Sequence, residues 1–250
     1  MKNVRPSISA FFPAYNDAGT IASMVIAAMN VLEQLTDDYE IIVINDGSSD
    51  YTPEILDRLA ADYDHVRIIH HPQNRGYGGA LRSGFAAATK DLIFYTDGDA
   101  QYDVHDLLRL YPLMKEGIDL VQGYKRDRND GLLRHVIGRL YHFAVKQMFA
   151  LSVRDVDCDF RLMRRRIFEK VELTHDSGVI CVEMVKKIEI NNFHIVELDV
   201  SHFPRPYGRS QFFRWRHIFN TAKELSTLWQ ELMLARHFTA YAPNNNLPLK

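Results

Sequence analysis

The chain has 250 residues and a formal net charge of −2, which excludes a polyanion binder driven by bulk positive charge. Hydrophobic residues make up 46% and charged residues 25%, enough for a packed core in one large α/β domain. The two cysteines, Cys158 and Cys181, lack CxxC spacing, which argues against a zinc site and fits a reduced, cytoplasmic setting. The N-terminal stretch has no signal-peptide pattern, and no apolar run approaches the roughly 18 residues of a membrane span.

In chain order, "SISAFF" (7–12) predicts a strand stopped by Pro13. Helical spacing of Ile21, Met24, Val25, Ala28, Val31 and Leu32 follows, with Asp17 or Thr20 near the helix start. "YEIIVIND" predicts a buried strand running into the turn "DGSSD", and "YTPEILDRLAADY" a helix with Pro53 in its first turn. "VRIIHH" reads as a short strand. "NRGYGGALRSGFAAAT" reads as a glycine-rich loop entering a helix, and "DLIFYTDGD" as the next strand. "VHDLLRLYPLMKE" predicts a helix kinked or ended by its proline, and "DLVQGYKR" another strand.

Strands alternating with helices predict a mainly parallel sheet covered on both faces. Three strands then end in polar motifs, "PAYND", "NDGSSD" and "TDGDAQ", and a parallel sheet places all three on one edge, where such sheets bind ligands. From Gly131 the texture changes. Stretches 132–151 and 212–236 interleave basic residues with an apolar face that includes Phe143, Met148, Leu225, Leu228 and Trp229. They read either as core-packing helices or as membrane-surface helices, with Phe212, Phe213, Trp215 and Trp229 suited to an interface.

Asp97 and Asp99 can share one divalent cation if the backbone turns between them, and Gly98 permits that turn. Their hard oxygens suit Mg²⁺ or Mn²⁺, with substrate phosphates completing the shell. Asp46 either belongs to a strand-to-helix turn or accepts hydrogen bonds from a nucleobase or ribose. "RGYGGALRSG" either cradles phosphate or packs closely against the sheet.

The ordered set "FPAYND", "IIVINDGSSD", "NRGYGGALRSG", "DLIFYTDGDAQYD", "LVQGYKR", "DCDFRLMRR" and "FPRPYGRSQF" resembles family 2 inverting glycosyltransferases of the GT-A fold. It is most similar to the dolichyl- or polyprenyl-phosphate mannosyl- and glucosyltransferase group. The resemblance implies a GT-A, Rossmann-like, mixed and mainly parallel sheet flanked by helices. It implies a domain over 1–211, an amphipathic C-terminal helical segment over 212–240 and a tail over 241–250. Pro13, Tyr15 and Asp17 match the motif bordering the nucleotide, where the family more often ends in Glu. Asp46 matches a nucleotide-binding carboxylate, and Asp97 and Asp99 match the metal pair. Gln101 matches a residue that joins the metal shell, and Gly98 stands where Ala is common. Arg205 and Ser210 match an R-x-x-G-x-S-K segment that closes over the diphosphate, with Gln211 in place of its lysine. Lys125 or Arg126 supplies the phosphate-facing cation of the family's G-S-R, and Asp159 replaces part of a Ser-Gly pair.

The implied reaction moves a sugar from a GDP- or UDP-sugar to a polyprenyl phosphate at a cytoplasmic membrane surface, with no nucleic-acid partner. A lipid phosphate needs no strong base. A hydroxyl of a saccharide or glycolipid, the alternative acceptor, needs one from Asp157, Asp159 or Glu183. A nicotinamide-dependent oxidoreductase is the remote alternative. It predicts a glycine fingerprint after the first strand, where "PAYND" stands instead.

Overall fold

The computed structural model describes residues 5–125, 142–207 and 215–234, except the side chains of 215–219 and 234. Seven strands form one sheet: β1 (Ile8–Ala14), β2 (Tyr39–Asn45), β3 (Val66–His70), β4 (Leu92–Thr96), β5 (Leu120–Lys125), β6 (Phe160–Arg164) and β7 (Ile195–Val200). Their spatial order is β3-β2-β1-β4-β6-β5-β7. β6 runs antiparallel to both β4 and β5, and the remaining strands share one direction. The carboxyl ends of β1, β2, β4 and β5 therefore meet on one edge, together with the amino end of β6. The expected mixed, mainly parallel sheet is present.

β1 continues through Pro13 instead of stopping there. Its pairing to β4 ends at Phe11, while pairing to β2 runs on to Ala14, so the proline sits where one side of the strand is already unpaired. β6 and β7 have no counterpart in the sequence reading. β6 carries the buried Arg161 next to its first residue, and β7 is a half-buried edge strand, so neither presents a plain apolar run.

One sheet face packs against α1 (Ile21–Leu35) and α2 (Thr52–Asp62), where Phe12, Val43, Val25, Leu32 and Leu56 share a core. The buried residues of α1 include those its periodicity selects. The opposite face packs Phe11, Ile42 and Tyr95 against α3 (Gly76–Ala87) and α6 (Ile180–Ile190). The helix predicted from Val104 shrinks to α4 (Leu107–Leu110) between two 3-10 turns, the second of which contains Pro112.

A third cluster joins α5 (142–149), α6 and α7 (Trp215–Trp229) through Val145, Phe149, Val182, Leu225 and Leu228. Trp229 donates its indole N–H to the Met148 carbonyl at 2.8 Å, and Ser177 bonds Glu224. The described part of α7 thus packs internally, as the core-packing alternative expects, and Trp229 takes part in that packing. Phe143 departs from it, being 63% exposed. Residues 126–141 and 208–214, with Arg126, Ser210, Gln211, Phe212 and Phe213, lie outside the described residues, as does the Trp215 side chain. Among the described residues no helix is long and apolar enough to cross a membrane.

Candidate active site

The β1 end is fastened to the β2 end before any ligand is considered. Asn16 N–H donates to Ser48 Oγ, Asp17 N–H to Thr52 Oγ1, and Ser49 N–H to the Asn16 side chain. Tyr15 is partly exposed above this junction, while Asp17 turns inward and accepts the Tyr15 N–H at 3.0 Å. Burial, reinforced by the Asp99 charge, pushes the Asp17 carboxyl up to about 6.

Asp97 follows β4 directly, and Asp99 is buried two residues on. A Cβ on Gly98 would lie 2.9 Å from Ile21 Cδ1 and 3.0 Å from the Pro13 carbonyl oxygen, so glycine lets the acidic loop press against the end of β1. Thr20 Oγ1 donates to the Gly98 carbonyl at 2.8 Å and holds the loop there. Asp97 accepts the Tyr77 hydroxyl at 2.8 Å, and Asp99 accepts the Gln101 N–H at 3.0 Å. Burial pushes the Asp97 carboxyl well above the usual range, and the charges of Asp159 and Asp99 push it further. Burial raises Asp99 too, against the opposing pull of Arg205. Carboxylates this crowded form the donor set a hard divalent cation neutralises.

Arg205 reaches Asp99 from across the fold. The segment after β7 lies along the acidic loop: Ser201 N–H donates to Asp106, Tyr102 bridges His202, and Phe203 N–H donates to the Gln101 carbonyl at 2.8 Å. Gln101 Nε2 returns a bond to the Phe203 carbonyl, Tyr207 rests on Gly19, and an Arg205 guanidinium N–H donates to Asp99. Arg205 Nε is buried with no hydrogen-bond partner among the described residues. A cationic fork beside two carboxylates, with one N–H to spare, suits a phosphate-bearing ligand. In this arrangement the Gln101 amide nitrogen ties down the Arg205 segment.

On the β5–β6 side, Lys125 donates to the Asp157 carbonyl at 2.9 Å. Burial would lower its amine, but Asp155 and its acidic neighbours hold the amine above its ordinary value. Lys125 is thus engaged by the 155–159 loop. Asp159 Oδ1 accepts the Tyr95 hydroxyl at 3.2 Å and lies 3.4 Å from the fully buried Arg161. His142, Asp155 and Asp157 form a separate trio with potential ligand atoms within 4.8 Å of one another. Glu183 is fully buried on α6 and accepts bonds from Thr174, His175 and Lys187. Burial works against its charge, but the donors, Lys187 first, hold the carboxyl below the ordinary range. Its geometry is that of an anchor for residues 174–175, which departs from the base expected as one option.

The glycine-rich segment is a packing device. Gly78 and Gly79 N–H both donate to the Asp176 carbonyl, and a Cβ on Gly78 would lie 2.3 Å from the His175 carbonyl oxygen. A neighbouring chain segment, not phosphate, occupies these N-terminal amides of α3. Asp46 is buried at the β2 end, bonded to His71 and to the Arg75 N–H. Tyr77, His71 and Asp155 escaped the sequence reading. Each acts through an element distant in sequence, although Tyr77 lies within "RGYGGALRSG" and His71 ends "VRIIHH".

The family profile "Glycosyl transferase family 2" matches residues 9–172. The chain belongs to glycosyl transferase family 2. This family 2 chain is 30% identical over 241 residues to "Glycosyltransferase AglD" of Haloferax volcanii, covering 93% of the chain and 38% of that protein. It is 29% identical over 226 residues to "Undecaprenyl-phosphate 4-deoxy-4-formamido-L-arabinose transferase" of Aeromonas hydrophila, covering 88% of the chain and 67% of the relative. For the Yersinia pestis protein of the same name the values are 30% over 208 residues, 82% and 62%. The chain thus spans well under half of the first relative and about two thirds of the others. Among solved structures, glucosyl-3-phosphoglycerate synthase from Mycobacterium tuberculosis, in complex with Mn²⁺, UDP and glucosyl-3-phosphoglycerate, superposes with a TM-score of 0.65 at 19% identity. That match covers 90% of the family 2 chain and 79% of the synthase. The same synthase with Mn²⁺, UDP and phosphoglyceric acid gives 0.66, also at 19% identity, with 90% and 78% covered. These neighbours bear out the GT-A fold, and the family match leaves the oxidoreductase alternative without support.

Proposed function

We propose that this chain transfers a sugar from a UDP- or GDP-sugar to a polyprenyl phosphate, with inversion, at a membrane surface. The observation that carries the reading is the meeting of Asp97, Asp99 and Arg205 on the sheet edge that also presents Asp46. The relatives named as undecaprenyl-phosphate transferases support the acceptor class, and the neighbours solved with UDP and Mn²⁺ support the donor class.

Asp97 and Asp99, with Gln101 as a further oxygen ligand, would hold Mg²⁺ or Mn²⁺. Such a cation supplies charge neutralisation on the departing nucleoside diphosphate. Pro13, Tyr15, Asp17 and Asp46 border the nucleotide. Arg205 closes over the diphosphate, donating from the guanidinium side that Asp99 leaves open, and Ser210 and Arg126 join it. A phosphate acceptor is already an anion and attacks without a protein base. In the hydroxyl-acceptor reading, Asp159 has a better claim than Glu183, because its bonds fall on Oδ1 alone, whereas both oxygens of Glu183 are taken up in anchoring residues 174–175.

Residues 1–211 act as the catalytic domain, with the described helix α7 of the 212–240 segment packed on it. Phe143, Phe203 and Tyr207 expose large apolar surface and suit contact with the cytoplasmic face of a membrane.

The test offers UDP- and GDP-sugars with Mn²⁺, and compares undecaprenyl phosphate with its dephosphorylated alcohol as acceptor. Mass spectrometry reads the product. Transfer to the phosphate alone is expected, falling about a hundredfold or more in Asp99→Ala. Transfer only to hydroxyl acceptors, or full activity in Asp99→Ala, refutes the proposal.

A further inference from the structure

Resting on the nucleotide-sugar reading, we propose that His71 is the positioning residue of the donor site: it holds Asp46 as a pure hydrogen-bond acceptor for an N–H of the nucleobase. His70 ends β3 and His71 follows it directly, with the two rings making separate sets of bonds. His70 pairs with Asn45 and with the exposed Asp57. His71 turns inward, where its ring and the Asp46 carboxylate are each about 5% exposed.

The hydrogen bonds around His71 form a closed circuit. Asp46 Oδ1 lies 2.6 Å from His71 Nδ1 and accepts the Arg75 backbone N–H at 2.8 Å. His71 Nε2 lies 2.9 Å from Ser83 Oγ, and the Arg75 guanidinium donates to that same Ser83 oxygen at 3.4 Å. Ser83 receives a proton donor from Arg75, so its own hydroxyl hydrogen is available to Nε2. The ring then carries its proton on Nδ1 and donates it to Asp46. This assignment follows from the network as a whole.

Both protein donors fall on Oδ1. Among the described residues nothing donates to Oδ2, and it is not among the enclosed side-chain atoms left without a partner, so an oxygen oriented by the bonds on Oδ1 and still open to solvent has only lone pairs to offer a ligand. Uracil and guanine present a ring N–H at the edge such an oxygen reads. Cytosine and adenine present a ring nitrogen acceptor there, and two facing acceptors leave a buried polar group unpaired. The circuit therefore favours UDP- or GDP-linked donors over CDP- or ADP-linked ones. His71 does not touch the ligand; it acts by fixing the rotamer of Asp46.

The test is calorimetric titration of the whole chain with UDP, GDP, CDP and ADP in Mn²⁺. The variants are His71→Asn, which keeps a donor at the Nδ1 position, His71→Gln, which moves it, and His71→Leu, which removes it. Wild type is expected to bind UDP or GDP more tightly than CDP and ADP. His71→Asn should stay within about threefold of wild type, while His71→Gln and His71→Leu weaken binding about tenfold or more and narrow the preference over CDP. If His71→Leu does not fold, the Asn and Gln pair carries the comparison. Equal affinities and preferences in wild type, Asn and Gln variants overturn the role of His71 while leaving the nucleotide reading intact. No binding of any nucleotide by wild type overturns both.

Discussion

Asp17 is buried beside Asp99, and burial first, then the Asp99 charge, carries its carboxyl from 3.8 up to about 6. A folded-state value above the unfolded one means that the ionised form opposes folding. The penalty is absent below the unfolded value of 3.8 and complete above about pH 6. Asp17→Asn is therefore expected to leave stability unchanged near the acid limit and to raise it by about 1–3 kcal/mol at pH 8. Urea unfolding at both pH values checks this; a variant destabilised at pH 8 contradicts it. At this scale the acidic residues were legible because a carboxylate at a strand end has few structural uses. Their partners were not. Tyr77 reaches Asp97, and Arg205 reaches Asp99, only because the topology brings distant segments together. Gly98, interpretable from sequence only as a turn, is fixed by its closeness to Pro13 and Ile21.

At the scale of elements, the glycine-rich entry to α3 shows how one composition serves two ends. Its spacing permitted either a phosphate cradle or close packing, and the 174–177 segment lying on Gly78 decides for packing. Gly78→Ala is expected to lower stability by about 1–3 kcal/mol despite alanine's better helix propensity, because the new methyl meets a backbone carbonyl. An unchanged urea midpoint argues against this packing role. α1 and α2 were legible from apolar periodicity alone. The segment from Val104 is helical only in short pieces, with the α-helical turn ending just before the 3-10 turn that contains Pro112, in keeping with an end set by the proline. In α7, Leu225 and Leu228 belong to a core shared with α5 and α6, so the amphipathic pattern reflects internal packing there.

Across the whole molecule, the parallel sheet was legible from alternating strands and helices, and with it the edge on which the polar motifs gather. The reversed strand β6 was not. Its Arg161 is buried and bonded to Gln122, Tyr95 and Val156, a network with no local sequence signature. That reversal matters, because it delivers residues 155–159 to the edge where β4 delivers Asp97 and Asp99. The central claim is that this edge binds a nucleoside diphosphate together with a cation held by Asp97 and Asp99. The most direct measurement is calorimetric titration of UDP and GDP into wild type and Asp99→Asn, each with Mn²⁺ and with a chelator. The account predicts that Mn²⁺ tightens nucleotide binding about tenfold or more in wild type and has little effect in the variant. Nucleotide affinity that is the same in Mn²⁺ and in chelator, or the same metal dependence in both proteins, would contradict it.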